Sequence, residues 1–123
     1  MQWELRGDRP IYQQLVEKLT EQIVSGQLAA GEKVPPVREL AAQAGVNPNT
    51  MQRAITQLET LGLVTTNRTL GRTVTENAEA LEEMRRRLAV ECAESYFKEM
   101  GALGYSRGEA ADMAQAERDR NDE

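Results

Sequence analysis

Apolar residues recur every three to four positions in three stretches of the N-terminal half of the chain. This spacing predicts amphipathic helices over residues 11–25, 36–44 and 47–61. The third helix has the clearest start signal, because Asn47 is a favoured N-cap and a proline follows it at the first helical position. Residues 26–36 are predicted to form a loop with room for a very short strand.

The pattern then changes to valine and threonine on both sides of a centre that contains asparagine, arginine and glycine. Residues 63–77 are therefore predicted to form two short strands joined by a loop. Two short helices separated by a glycine turn and followed by a hairpin give the chain order of a winged helix-turn-helix. We assign residues 1–75 to this domain and predict a mainly α fold with a small β-hairpin.

Residues 76–123 are rich in alanine, glutamate, arginine and methionine and are predicted to be helical. The first helix spans about 78–101, and Gly101 and Gly104 are expected to end it. A second helix is predicted from Ser106, the start of a capping-box pattern, to about Glu117, with a frayed tail beyond. The first helix carries an apolar stripe with members three or four positions apart: Leu81, Met84, Leu88, Cys92, Tyr96 and Met100.

Composition excludes several classes of protein. With no histidine and one cysteine, a zinc site is excluded, and general acid–base catalysis lacks its commonest residue. No glycine loop suited to phosphate and no cluster of carboxylates nominates a catalytic group, so we expect neither an enzyme nor a cofactor. No apolar run has the length of a membrane span, and the N-terminus lacks a signal-peptide core. We therefore expect a cytoplasmic protein with no membrane partner.

The net charge of −5 conceals an asymmetry along the chain. Residues 1–75 hold eight basic and seven acidic side chains, whereas residues 76–123 hold seven and thirteen. Between residues 33 and 75 there are five basic and two acidic side chains. Because local charge governs contact with phosphate, the acidic total does not exclude nucleic acid as a partner.

The outward face of the third predicted helix lacks carboxylates until Glu59. Its side chains are amides, hydroxyls and one guanidinium, which hydrogen-bond base edges in the major groove or phosphate oxygens. The alternative is a solvated polar face without a partner. The candidate contacts to double-stranded DNA on this helix are Asn47, Asn49, Thr50, Gln52 and Arg53.

Basic residues outside this helix extend the candidate DNA surface. Arg38 lies near the start of the second helix, where unpaired backbone N–H groups also suit a phosphate. Arg68 and Arg72 flank Gly71 in the predicted wing, where basic side chains follow the DNA backbone or enter a minor groove. A surface ion pair is the alternative for Arg38, and a solvated turn is the alternative for the wing arginines.

The segment from Pro10 to Val64 resembles the winged-helix domain of GntR-type bacterial repressors, and Asn47-Pro48-Asn49-Thr50 with the short C-terminal extension looks most like the YtrA subfamily. The resemblance implies DNA contact from Arg38, from the start of the third helix and from the wing near Gly71. Two departures are Pro36, where the family often has serine, and a wing with a single glycine. The shared pattern comprises Pro10-Ile11-Tyr12, Gly26, Leu28, Gly31, Val37-Arg38-Glu39-Leu40-Ala41, Asn49-Thr50, Arg53-Ala54, Leu58-Glu59 and Gly62-Leu63.

The C-terminal stripe needs a surface to cover it, because one long and one short helix cannot enclose a core. It can pack on the winged helix or on a second copy. A helix-turn-helix protein that recognises a two-fold site is a dimer, so we predict that residues 76–123 are a two-helix dimerisation segment and that the stripe lines the interface. Cys92 is then a buried thiol of this interface, with an intersubunit disulfide as the alternative under oxidation.

These features together predict a repressor that binds an inverted-repeat operator as a homodimer, and the YtrA resemblance suggests a transporter operon as its target. The alternative is a winged-helix module that binds proteins and does not recognise DNA. Too few residues follow the winged helix for a closed ligand-sensing domain. A groove at the dimer interface is the remaining place for a small-molecule effector, which the sequence does not identify.

Overall fold

The computed structural model describes residues 3–121 of the chain. Its contacts form two compact units, the first ending at Arg85 and the second beginning at Arg86. The elements follow the predicted order of a winged helix-turn-helix and two further helices. They are α1 (Ile11–Val24), α2 (Val37–Ala44), α3 (Pro48–Thr60), β1 (Val64–Asn67), β2 (Gly71–Val74), α4 (Ala78–Ala102) and α5 (Arg107–Asn121).

The core of the N-terminal unit is aliphatic and lies between the first three helices and the hairpin. Each helix contributes the apolar face that its spacing predicts. Burial of these side chains removes apolar surface from water and is the main stabilising contribution to the unit. Its fully buried large side chains are Leu15, Leu19, Leu40, Met51, Ile55, Leu58, Leu63, Val64 and Val74.

The segment before α1, for which the sequence predicts no structure, is fixed by a buried glutamine. Gln14 is 4% exposed, and its Nε2 donates to the carbonyl oxygens of Arg6 at 2.7 Å and Arg9 at 3.0 Å. Its Oε1 accepts a hydrogen bond from the backbone N–H of Arg6 at 2.6 Å. These bonds satisfy a buried amide and hold the segment on α1, while Trp3 and Leu5 pack against the core.

The hairpin is antiparallel, with Val64 opposite Val74 and Thr66 opposite Arg72. The short strand predicted near Lys33 is a single bridge to Thr73. Backbone bonds between the loop and β2 accompany this bridge, from Val34 N–H to the Arg72 carbonyl and from Val74 N–H to the Glu32 carbonyl, both 2.9 Å. The loop before α2 therefore fixes the hairpin on the N-terminal unit.

In the C-terminal unit, the predicted capping box at the start of α5 is confirmed. The backbone N–H of Ser106 donates to Oε1 of Glu109 at 3.0 Å, and the N–H of Glu109 donates to Oγ of Ser106 at 3.1 Å. These hydrogen bonds, the one from the Ser106 backbone first, hold the pKa of the Glu109 carboxyl below its usual value. Gly101 lies within α4, and Gly104, at φ +97°, follows the helix end.

The prediction that the chain frays after Glu117 is wrong for the residues up to Asn121, because α5 continues to that residue. Arg118 pairs with Asp119 at 2.9 Å, and Arg120 pairs with Glu117. The positive charges of the basic side chains in the last turn also interact favourably with the negative end of the helix dipole. Together with the ion pairs, this interaction accounts for the longer helix. Residues 122–123 of the predicted tail lie outside the described residues.

Aromatic residues of α4 hold α5 within the C-terminal unit. The Tyr96 hydroxyl donates to the carbonyl oxygen of Ala110 at 2.7 Å, and Ala110 is fully buried. The Arg107 guanidinium lies 4.2 Å from the ring centroid of Phe97 and forms an ion pair with Glu94 at 3.2 Å. The two helices are thus joined by a few specific contacts and not by a large core.

Candidate nucleic-acid interface

The N-terminal turn of α3 is organised by Asn47. Its Oδ1 accepts a hydrogen bond from the backbone N–H of Asn49 at 2.7 Å, so Asn47 is the N-cap that the sequence predicts. The side-chain oxygen of Asn47 is therefore engaged in a hydrogen bond to the helix backbone. Asn49 is exposed and Thr50 half-buried, so both lie at the accessible start of α3.

The outward face of α3 continues with Gln52, Arg53 and Thr56. Gln52 Nε2 donates to Oγ1 of Thr56 at 3.2 Å, which orders the amide along the helix. Arg53 is exposed, and its guanidinium carbon lies 3.6 Å from the ring centroid of Tyr12 on α1. Sequence reasoning did not single out Tyr12, although it belongs to the Pro10-Ile11-Tyr12 pattern. The face presents one cation among hydrogen-bonding groups, which suits base edges and phosphates.

Arg38 is exposed in the first turn of α2. The cap residue is Pro36, and no side chain caps this helix. The first backbone N–H groups of α2 therefore lack a side-chain acceptor, which is the arrangement that suits a phosphate oxygen beside a cation.

The wing turn is held by Asn67. Its Oδ1 accepts hydrogen bonds from the backbone N–H groups of Thr69 at 2.8 Å and Leu70 at 3.2 Å. Gly71 follows with φ +79°, a conformation that favours glycine. Arg68 is exposed on this turn, beside an apolar Leu70 that is 53% exposed. Arg68 is thus available to solvent at the wing tip.

Arg72 differs from Arg68, because it forms an ion pair within the N-terminal unit. Its Nε donates to Oε1 of Glu59 at 2.5 Å, and both side chains are about one-third exposed. The pair joins the last turn of α3 to β2. Sequence reasoning noted Glu59 as the first acidic residue of α3 and as part of the Leu58-Glu59 pattern, but it missed this contact. The geometry favours a role for Arg72 in fixing the wing on α3 over a direct contact with DNA.

The six residues of the C-terminal stripe have three different environments. Leu81 and Met84 pack against the core of the N-terminal unit. Tyr96 is bonded to α5, as described above. Leu88 and Met100 are half-buried, and Cys92 is exposed in the single chain.

Within residues 86–121, two further large apolar side chains that the stripe did not include are more than half exposed. They are Val90 at 55% and Leu103 at 74%. Among residues 3–121 there is no cluster of side chains suited to a metal ion, and no helix in that range is long and apolar enough to cross a membrane.

Asn47 caps α3 and is also a candidate DNA contact, which gives a testable prediction. We expect Asn47→Ala to lower the free energy of unfolding by about 0.5–2 kcal/mol, because it removes the cap of α3. Asn47→Asp keeps an equally good cap but places a carboxylate where DNA phosphate is expected. It should therefore retain stability in chemical denaturation and bind duplex DNA more weakly than the unmodified protein. Equal DNA affinity of Asn47→Asp and the unmodified protein would contradict a position of Asn47 at the DNA surface.

Comparison with known proteins agrees with this architecture. Residues 11–74 match the model of the gntR family of bacterial regulatory proteins. The chain is 38% identical over 106 residues to the uncharacterized HTH-type transcriptional regulator YhcF of Bacillus subtilis (strain 168), covering 86% of this chain and 88% of YhcF. It is also 38% identical over 78 residues to the HTH-type transcriptional repressor YtrA of the same organism, with 63% and 60% covered.

A solved structure shows the same fold over most of the chain. The GntR family transcriptional regulator from Listeria monocytogenes superposes with a TM-score of 0.82 at 33% identity and covers 91% of this chain and 98% of that chain. The family match includes the helix-turn-helix and the hairpin and extends over more than half of the sequence. The resemblance to the GntR family and to YtrA that was drawn from the sequence is confirmed. The protein belongs to the gntR family of bacterial regulatory proteins and is a DNA-binding transcriptional regulator, not an enzyme.

Proposed function

We propose that the protein is a repressor that binds an inverted-repeat operator as a homodimer, with α3 in the major groove. The outward face of α3 is the observation that carries this proposal. From its cap to Leu58 it has no carboxylate, and its exposed Arg53 is accompanied by amides and hydroxyls at helical spacing. A helix of this width and chemistry fits the major groove, where such side chains distinguish base pairs.

The contacts divide by the chemistry of each group. Asn49, Gln52 and Arg53 face base edges, while Thr50 and Arg38 hold phosphates at the two helix starts. Arg68 follows the DNA backbone or the minor groove from the wing, and Gly71 allows close approach of the turn. Arg72 supports the wing through Glu59 and is not counted among the direct contacts.

A second copy of the chain is the proposed cover for the apolar surface of the C-terminal unit. Among residues 86–121 only Ala110 is fully buried, whereas Leu103 is 74% exposed. Leu88, Cys92 and Met100 are the stripe residues that retain a surface for a partner. In this dimer Cys92 becomes a buried thiol. A dimer places two copies of α3 on half-sites related by two-fold symmetry.

The proposed direction of regulation and the proposed target genes are inferred from the similarity to YtrA. YtrA is named a repressor, which supports the same sign of regulation here. A transporter operon is the target class that the YtrA resemblance suggests. A small-molecule effector, if one binds, is assigned to the dimer interface.

Selection from a pool of randomised DNA duplexes tests the proposal and identifies the operator sequence at the same time. We expect the purified protein to enrich an inverted repeat with half-site centres about 10–10.5 base pairs, or a multiple of this, apart. We call this sequence the selected duplex. A parallel selection without protein controls for amplification bias. Enrichment of an asymmetric sequence would contradict the dimeric arrangement, and the absence of any enriched sequence would favour the protein-binding module.

A further inference from the structure

The contact between Tyr12 and Arg53 joins α1 to the proposed DNA-binding face of α3. The Arg53 guanidinium carbon lies 3.6 Å from the Tyr12 ring centroid, well within the range of a cation–π contact. Tyr12 is half-buried, whereas Arg53 is exposed. A planar guanidinium stacks on an aromatic face without losing its N–H donors at the edge. The ring therefore restricts the arginine side chain while its hydrogen-bonding edge stays available.

No acidic side chain competes with the ring for this guanidinium within residues 3–121. Tyr12 lines a shallow groove of about 300 Å³ together with Glu17 and Gln57. The Glu17 carboxylate accepts hydrogen bonds from Arg9 at 3.0 and 2.5 Å. These bonds pair the carboxylate with Arg9 and hold the pKa of the Glu17 carboxyl below its usual value. Arg53 has no ion pair in the described part of the chain, and the aromatic ring is its close partner.

We propose that Tyr12 is a positioning residue that holds Arg53 in the conformation in which it contacts DNA, an inference that rests on the proposed function of α3. A free arginine side chain loses rotamer freedom when it binds. A side chain already held on a ring loses less, and immobilising one such side chain changes affinity by about twofold to tenfold. Tyr12 thereby contributes to the specificity of recognition although it belongs to α1.

Anisotropy titrations with the selected duplex and a scrambled duplex of the same composition test this inference. Tyr12→Leu is expected to weaken binding to the selected duplex by about twofold to tenfold and to leave the scrambled duplex almost unchanged. Tyr12→Phe keeps the ring and should retain the affinity of the unmodified protein. In an Arg53→Ala background, Tyr12→Leu should have no further effect, because its contribution acts through Arg53.

Three results would overturn the inference. An equal loss from Tyr12→Leu in the Arg53→Ala background would show that Tyr12 acts independently of the arginine. Tighter binding by Tyr12→Leu would show that the ring withholds Arg53 from DNA. An equal loss on both duplexes would indicate a general effect on the fold. If Tyr12→Leu does not fold, Tyr12→Met is the substitute, since it keeps an unbranched apolar side chain in α1 without a ring.

A measurement on the protein without DNA separates this inference from the proposed function. In the unmodified protein and in Tyr12→Phe, the NMR signal of the Arg53 Nε–H group should be shifted upfield by the ring. In Tyr12→Leu this shift should be lost. A normal Arg53 signal in the unmodified protein would overturn the positioning role, whereas a shifted signal with no sequence enriched from the duplex pool would overturn the proposed function alone.

Discussion

Replacement of Leu88 by aspartate is expected to convert the proposed dimer to a monomer and to lower its affinity for the selected duplex by about 10²–10⁴-fold. Leu88 is half-buried in the single chain and is one of the stripe residues proposed to contact a partner. A carboxylate in an apolar interface loses its hydration without gaining a partner. Without the dimer, the second half-site is no longer bound as an intramolecular event.

Light scattering coupled to size exclusion measures the oligomeric state, and anisotropy titration measures the affinity. Val90→Asp is the matched control, because Val90 is 55% exposed and lies about 200° around α4 from Leu88. We expect this variant to remain dimeric. A dimeric Leu88→Asp, or a monomeric Val90→Asp, would place the interface on a different face of α4.

Replacement of Arg53 by alanine is expected to cost about 1–3 kcal/mol of binding free energy, or about 5- to 150-fold in affinity for the selected duplex. The effect on a scrambled duplex should be smaller, because a base contact is lost.

Arg38→Ala should weaken binding to both duplexes similarly and reduce the slope of log affinity against log salt concentration by about one. The two arginines thus separate recognition of bases from contact with phosphate.

Arg118→Ala is the control for both variants. Arg118 is exposed on α5 and pairs with its neighbour Asp119, so its loss removes the same formal charge outside the proposed DNA surface. The Arg118→Ala variant should bind both duplexes with the affinity of the unmodified protein. Unchanged affinity of both Arg53→Ala and Arg38→Ala would contradict the docking of α2 and α3 on DNA.

The features that the sequence predicted well depend on signals between near neighbours. Asn47 and Pro48 specify the start of α3 within two residues, and Ser106 with Glu109 does the same for α5. The helix bounds follow because hydrophobic spacing and caps act within a few turns. The end of α5 is the exception, since pairs such as Arg118 with Asp119 accompany a helix that outlasts the apolar pattern.

The missed features are contacts between elements distant in sequence. Spacing showed that Arg72 and Glu59 both lie near the DNA-binding elements, but not that they meet at 2.5 Å. It likewise placed Tyr12 and Arg53 on separate helices, and the packing of α1 on α3 brings them together. A local pattern predicts which face of an element is polar, whereas the partner of each side chain depends on the tertiary arrangement.

The α4 stripe shows the same limit for apolar residues. A spacing of three to four positions correctly predicts one helix. It does not reveal that Leu81 and Met84 pack on the N-terminal core while Tyr96 bonds to α5. The proposed dimer interface is consequently narrower than the stripe.

The central claim is that this chain recognises a DNA sequence through α3. The ratio of its affinities for the selected and scrambled duplexes, measured by anisotropy at two salt concentrations, tests it most directly. We predict a ratio of at least about 10³ at physiological salt, with affinity for both duplexes falling steeply as salt increases. Equal affinities for the two duplexes, or no binding to either at low salt, would contradict the claim.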